Sequence, residues 1–255
     1  MIGRALESLR AQTVAAEVIV VDSGSSDRTV QIAREWCDRL IEIPLERFTF
    51  GYALNVGARA ASAPVHFALS AHCFPERRDW IERSLGHYRH ADVAGTHGIA
   101  ALPGGRPLER IFYQDAVHAR AHPWWGFSNH ASSWRAELWE RFPFDEGIEA
   151  GEDREWAFRV LDAGFVIAID PDLWVSMSHT WGGGLRGFYR RRRREARAIA
   201  ALLPQQRYGL RESVHEWWGE MPDQRHAAWL YRLDYRRLAG LAGKYAGYRS
   251  VRTRR

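Results

Sequence analysis

The sequence predicts an α/β protein built on a parallel sheet with crossover helices. Three observations carry that expectation. Glu17–Val21 is a compact β-branched run, the pattern of a strand buried on both faces. Leu40–Ile43 and Val65–Leu69 are two further short apolar runs, each reached through a stretch with helical periodicity. Strand, helix, strand, helix, strand at this spacing requires crossover connections.

In chain order, Ala5, Leu6 and Leu9 mark a short amphipathic helix at the start, with Val14 just beyond it. The first strand ends in Asp22-Ser23-Gly24-Ser25-Ser26-Asp27, a turn rich in helix-capping residues. Val30, Ile32, Ala33 and Trp36 give the next helix partial periodicity, and Pro44 stops the strand Leu40–Ile43. Gly51–Ala61 reads as a helix. Val65–Leu69 ends in the polar turn Ser70-Ala71-His72-Cys73-Phe74-Pro75. From Thr96 to Asn129 the pattern weakens. Pro123–Asn129 reads as a loop whose aromatics either face a ligand or fill the core. Phe165–Pro171 and Trp174–Met177 read as strands, the second leading to Ser178-His179-Thr180-Trp181. After Gly182-Gly183-Gly184, Leu185, Phe188, Tyr189, Ala196, Ile199 and Leu203 mark one helical face, and arginines cover the rest. Trp229–Arg255 repeats the aromatic and arginine mixture. The chain therefore divides into a domain over 1–181 and an arginine-rich helical extension over 182–255.

At 255 residues and 46% hydrophobic content a packed core is expected. The net charge is +5, nearly all of the positive charge being arginine, since Lys244 is the only lysine. Arginine suits planar contact with phosphate. Cys37 and Cys73 form no metal-like pair, which fits a reducing cytosol. No apolar run approaches the roughly 20 residues that span a bilayer, and the first residues lack the apolar core of a secretory signal. The expected location is cytoplasmic, with the arginine helix either on the inner membrane face or packed with its basic side in solvent.

The stretch Gly151-Glu152-Asp153-Arg154-Glu155-Trp156 places two carboxylates at a helix start. Helical spacing groups Asp153 with Ala157, Val160, Leu161 and Gly164, the expected core side. Glu152 falls with Glu155, Arg159 and Asp162, the expected water side. Asp153 is thus the carboxylate expected to be aimed at a substrate, unless both acids only complement the helix dipole. Polar turns at strand ends are where such sheets bind ligands. Asp22 there either accepts from a nucleobase or ribose, or caps the following helix, the role assigned to Asp27.

Taken in order, these landmarks resemble a family 2 glycosyltransferase of the GT-A fold: Glu17–Asp27, Phe50-Gly51-Tyr52-Ala53-Leu54-Asn55-Val56-Gly57, Leu69-Ser70-Ala71-His72, Gly151-Glu152-Asp153 with Trp156, and His179. The similarity spans about residues 3 to 181 and leans towards bacterial rhamnosyltransferases. It implies a mixed, mostly parallel sheet with helices on both faces. It also implies an inverting transfer of a hexosyl or deoxyhexosyl group from a nucleotide-sugar to a glycan or lipid-linked acceptor. Asp153 would be the general base beside Glu152, and Asp22, Ser23, Asn55 and Ser70 would hold the nucleotide. An anionic membrane surface is a further expected partner, and nucleic acid is not, for want of a recognised module.

Two features depart from the family pattern. Its Asp-x-Asp metal motif falls at Ser70-Ala71-His72, where a histidine replaces the carboxylate. Either His72 and His179 together ligate a divalent metal, manganese or magnesium, or arginines after His179 neutralise the diphosphate without one. The family's first strand is also expected before the opening helix, and the sequence opens in that helix. The rival to an enzyme is a GT-A-like binding or scaffold protein without turnover.

Overall fold

A computed structural model describes residues 1–103, 105–178, 184–219 and 235–252. The chain forms two compact units. One is Met1–Ile148 with Glu152–His179, the other Glu149–Gly151 with Thr180–Arg255.

The first unit contains α1 (Ile2–Arg10), β1 (Ile19–Asp22), α2 (Thr29–Trp36), β2 (Arg39–Glu42), α3 (Phe50–Ala60), β3 (Val65–Leu69) and β4 (Cys73–Pro75). There follow α4 (Trp80–His87), β5 (Val93–His97), β6 (Phe112–Gln114), α5 (Ala116–Ala121), β7 (Ala131–Arg135) and α6 (Ala136–Arg141). It ends with α7 (Glu152–Asp162), β8 (Val166–Ile169) and β9 (Val175–Met177). Every strand expected from the apolar runs forms, within two residues of its expected ends.

The main sheet has five strands in the order β3-β7-β5-β8-β6. It is mixed, as expected, but not mostly parallel. Only β5 and β8 pair parallel; β7 enters antiparallel between β3 and β5, and β6 lies antiparallel on β8. The expectation failed because β5, β6 and β7 carry weak local signals. Ala131-Ser132-Ser133-Trp134-Arg135 lacks a β-branched run and becomes a strand through its neighbours.

The parallel pair β1–β2 stands as a separate two-stranded sheet, and β4–β9 is a third, antiparallel one. Ile19, Val20 and Val21 are half-buried rather than covered on both faces. The reason is pairing: β1 is bonded to β2 alone, and no described strand joins it to β3. An edge strand keeps one side of its ladder open.

The core beneath α7 is aromatic. Trp134, Trp156, Phe127 and Phe144 are all at most 2% exposed. Ring centroids lie 4.9 Å apart for Phe127–Trp156, 5.1 Å for Trp134–Phe144 and 5.7 Å for Phe144–Trp156. A second cluster gathers Cys73, Trp80, Ile81, Ala131, Leu173 and Val175, with Leu9, Val14 and Ala16 against it. That contact fixes α1 and the turn after it.

The second unit contains α8 (Gly184–Leu202), α9 (Leu210–Gly219) and α10 (Tyr235–Arg252). Helices α8 and α10 pack closely because α10 presents glycines. A Cβ on Gly243 would lie 2.5 Å from the Tyr189 carbonyl oxygen, and one on Gly247 2.5 Å from that of Arg193. Ala196, Ile199 and Leu203 of the expected apolar face are buried. Tyr208 stacks on Tyr248 with centroids 5.0 Å apart. No helix among the described residues is long and apolar enough to cross a membrane.

Candidate active site

Three strand ends and one helix start meet in the first unit. Leu69 at the end of β3 pairs with Ala131 at the start of β7. The next residue, Ser70, donates its amide to the His130 carbonyl at 2.9 Å. His97 ends β5, opposite Ser132 of β7. The residues just before β7, Ser128-Asn129-His130, reach towards the first turn of α7, where the Asn129 amide stands 3.4 Å from Glu152 Oε1.

The loop expected to be ligand-facing is held on α7 by Arg154, whose guanidinium donates to the carbonyls of Phe127 and Trp124. Phe127 is core, fully buried against Trp156. Trp125 is half-buried and donates its indole N–H to Ala101 O at 2.7 Å. Gly126 permits the turn: its φ is +111°, and a Cβ there would lie 2.2 Å from Oε1 of the buried Gln114.

His97 is a buried, neutral imidazole. Desolvation first, then the neighbouring His130 and Arg154, push its pKa well below the ordinary value, outweighing the bond to Ala131. Its Nδ1 lies 2.8 Å from the Ala131 carbonyl, which fixes the proton on that nitrogen and leaves Nε2 as an acceptor. The His97 and His130 rings meet edge to face at 4.8 Å.

The two carboxylates of α7 exchange the orientations expected from spacing. Glu152 is the buried one, 6% exposed, and Asp153 is half-buried. Glu152 lies one turn before the fully buried Trp156, and that turn sets the inward face of the helix. The stripe drawn through Glu155 and Arg159 omitted this neighbour. Asp153 Oδ1 accepts from the Arg154 amide at 2.8 Å. Its second oxygen has no hydrogen bond within the described residues.

The Asp22 turn is built as a local anion site. Asp22 is 6% exposed, and its Oδ2 accepts from the amides of Gly24 and Ser25 at 2.9 Å each. Burial acts against ionisation, but the Ser25 hydroxyl and the two amides outweigh it and hold the carboxyl below its usual range. Ser23 beside it is half-buried. No described hydrogen bond joins this turn to Ser70 or Glu152.

Asn55 has another use than the expected nucleotide contact. Its Nδ2 donates to Phe144 O and to Glu146 Oε1 at 2.8 Å, and its Oδ1 accepts from Trp139 Nε1 at 2.8 Å and Phe144 N at 3.0 Å. All four hydrogen-bonding positions of the amide are taken, so Asn55 ties α3 to the segment before α7. Asn55→Ala is expected to cost about 2–3 kcal/mol, because the buried amide and carbonyl of Phe144 lose partners; urea denaturation measures it.

His72 is half-buried and its carbonyl accepts from the Ser178 amide at 2.8 Å, extending the β4–β9 ladder. His179, expected to share a metal with it, lies outside the described residues. Among the described residues no group of three or more His, Cys, Asp or Glu side chains could hold a metal ion. The Ser70–His72 turn offers one imidazole, one hydroxyl and no carboxylate. Of the pair expected to ligate a divalent ion, His72 alone lies among the described residues.

Comparison with known proteins decides the family. The family model described as glycosyl transferase family 2 matches residues 1–140. The chain belongs to glycosyl transferase family 2. Among curated relatives, a validoxylamine A glucosyltransferase of Streptomyces hygroscopicus subsp. jinggangensis is 28% identical, over 68% of this chain and 51% of the relative. Glycosyltransferase AglE of Haloferax volcanii is also 28% identical, over 62% of this chain and 55% of AglE. The chain thus spans about half the length of the curated relatives it matches. Among solved structures, the mannosyltransferase PcManGT from Pyrobaculum calidifontis, in complex with GDP-Man and Mn2+, aligns with a TM-score of 0.67 at 16% identity. That alignment covers 98% of this chain and 82% of PcManGT. S. aureus TarS 1–349 in complex with UDP-GlcNAc aligns at 0.57 with 15% identity, over 100% of this chain and 88% of that 1–349 chain. At such identities the likeness shows the fold, which is GT-A-like.

His130 was absent from the expected site. Only the register of β7, itself unexpected, brings it to His97, and no sequence pattern signals that meeting.

Proposed function

We propose that this protein transfers a sugar from a nucleotide-sugar donor to a hydroxyl of a glycan or lipid-linked acceptor, with inversion at the anomeric carbon. The observation that carries the proposal is the start of α7, where the half-buried Asp153 follows the buried Glu152, which meets Asn129 at the strand ends. A hydroxyl is a poor nucleophile until its proton has an acceptor within reach. Asp153 takes that proton. The acceptor oxygen bonds to the anomeric carbon as the bond to the nucleoside diphosphate breaks on the opposite side. Inversion follows from this single displacement. Glu152, gripped by Asn129, fixes the helix start that aims Asp153.

Asp22 and Ser23 hold the nucleoside, with Ser70 at the end of β3. The resemblance to rhamnosyltransferases makes a deoxyhexosyl donor the first to try. The GDP-Man of PcManGT and the UDP-GlcNAc of TarS make hexosyl donors the next. The reaction is placed at the cytoplasmic face of a membrane, where lipid-linked acceptors are met.

The test is a thermal-shift screen of nucleotides and nucleotide-sugars, followed by transfer assays with the donors that bind. A ligand that binds only the folded state at about 100 times its Kd stabilises by about 2.7 kcal/mol. A clear rise in melting temperature with one nucleotide family and turnover of its sugar are expected. Binding without turnover would favour the scaffold reading, which the missing carboxylate at Ser70–His72 supports. A chain that binds no nucleotide sinks both.

A further inference from the structure

The basic charge of this chain is concentrated at one end. Residues 182–255 hold 18 of the 36 basic residues and 6 of the 31 acidic ones, a net of +12 that leaves −7 for residues 1–181. Helix α8 presents much of it on one line. Arg186, Arg190, Arg193, Arg194 and Arg197 fall at i, i+4, i+7, i+8 and i+11, a single stripe of an α-helix. All five are exposed, and none forms an ion pair or side-chain hydrogen bond with a described residue. Arg191 and Arg192, off the stripe, pair with Glu195. At 1.5 Å rise per residue the stripe is about 17 Å long. Like charges at i, i+4 repel, so helix formation alone gives no reason for this arrangement.

We propose that α8 docks this chain on an anionic lipid surface through its arginine stripe. Guanidinium groups bind lipid phosphates bidentately and remain charged throughout. A basic helix face attracted to anionic headgroups is a surface-binding element rather than a spanning one. Exposed apolar side chains of the same unit favour lipid over nucleic acid. Leu210 is 70% exposed and Val214, one turn on, 52%, with Leu185 at 43% and Leu238 at 45%. A headgroup interface covers such side chains, whereas a sugar-phosphate backbone leaves them in water. The docking stands on the second unit alone; its meaning, delivery of the enzyme to a lipid-linked acceptor, rests on the transfer reading above.

The experiment is flotation of the full chain with vesicles of phosphatidylcholine alone and of phosphatidylcholine with phosphatidylglycerol at three to one. Binding is expected only to the anionic vesicles, and it should weaken as salt rises, because exposed charges are screened within about 10 Å at 0.1 M. Each basic residue at such a surface is worth about fivefold in affinity, so Arg190→Gln with Arg194→Gln should weaken binding about 25-fold. Both side chains are exposed, and an unchanged melting temperature confirms that the variant is folded. Asp153→Asn should bind vesicles like the parent, which separates a failure of the docking from a failure of the catalytic reading. Equal binding to neutral vesicles, or a folded double variant that binds as well as the parent, overturns the proposal. So does retention on duplex DNA without vesicle binding.

Discussion

Asp153→Asn is expected to lower sugar transfer by about 10²–10⁴-fold, the usual contribution of a positioned proton acceptor. The loss should fall on kcat, with donor KM and nucleotide binding close to the parent's, since the change removes an interaction made only as the acceptor loses its proton. Asparagine keeps the shape, and its carbonyl can still accept from the Arg154 amide as Asp153 Oδ1 does at 2.8 Å. The fold should therefore survive, and a melting curve checks it. Glu152→Gln is the companion variant. Glu152 is buried and bonded by Asn129, so its amide should disturb the aim of the helix start and cost less in kcat. Steady-state kinetics of both variants decides the assignment. Full activity in Asp153→Asn together with a dead Glu152→Gln would move the base to the buried carboxylate.

Asp170→Ala is expected to cost about 3–5 kcal/mol of stability, the typical loss when one partner is removed from a buried ion pair. Asp170 is fully buried at the end of β8. It accepts from Arg83 at 2.8 and 3.1 Å and from the Asp172 amide at 3.0 Å, and it meets His87 Nε2 at 2.9 Å. The group locks α4 to β8, and the Asp170 amide itself donates to the His97 carbonyl at 3.0 Å. Burial raises the carboxyl's pKa, but the bonds from His87, Arg83 and Asp172 outweigh it and bring the value down to about 2 from 3.8. The sign follows from linkage. A carboxylate depressed in the folded state contributes stability above its unfolded pKa and loses it as pH falls through the folded one. The parent should therefore lose about 2 kcal/mol from this group between about pH 4 and pH 2, because a tenfold difference in proton affinity is worth about 1.4 kcal/mol. The variant should lose none from it. Urea denaturation across that range reads the difference, and identical pH profiles for parent and variant would refute it.

What the sequence determined by itself was whatever depends on near neighbours. The apolar runs at Ile19–Asp22, Val65–Leu69 and Val166–Ile169 place strands because burial and backbone preference act over a few residues. The Asp22 turn is legible for the same reason, since its carboxylate is satisfied by amides two and three residues on. Tertiary structure decided what depends on distant partners. Ala131–Arg135 becomes a strand only between β3 and β5, and that pairing brings His130 to His97 and Asn129 to Glu152. Asn55, an expected ligand contact, spends its amide on residues more than 80 positions away. The facing of Glu152 and Asp153 is not legible locally, because helical spacing leaves the first turn ambiguous until Trp156 finds its place in the aromatic core. Local periodicity fixes which residues share a face; only packing fixes which face is inside.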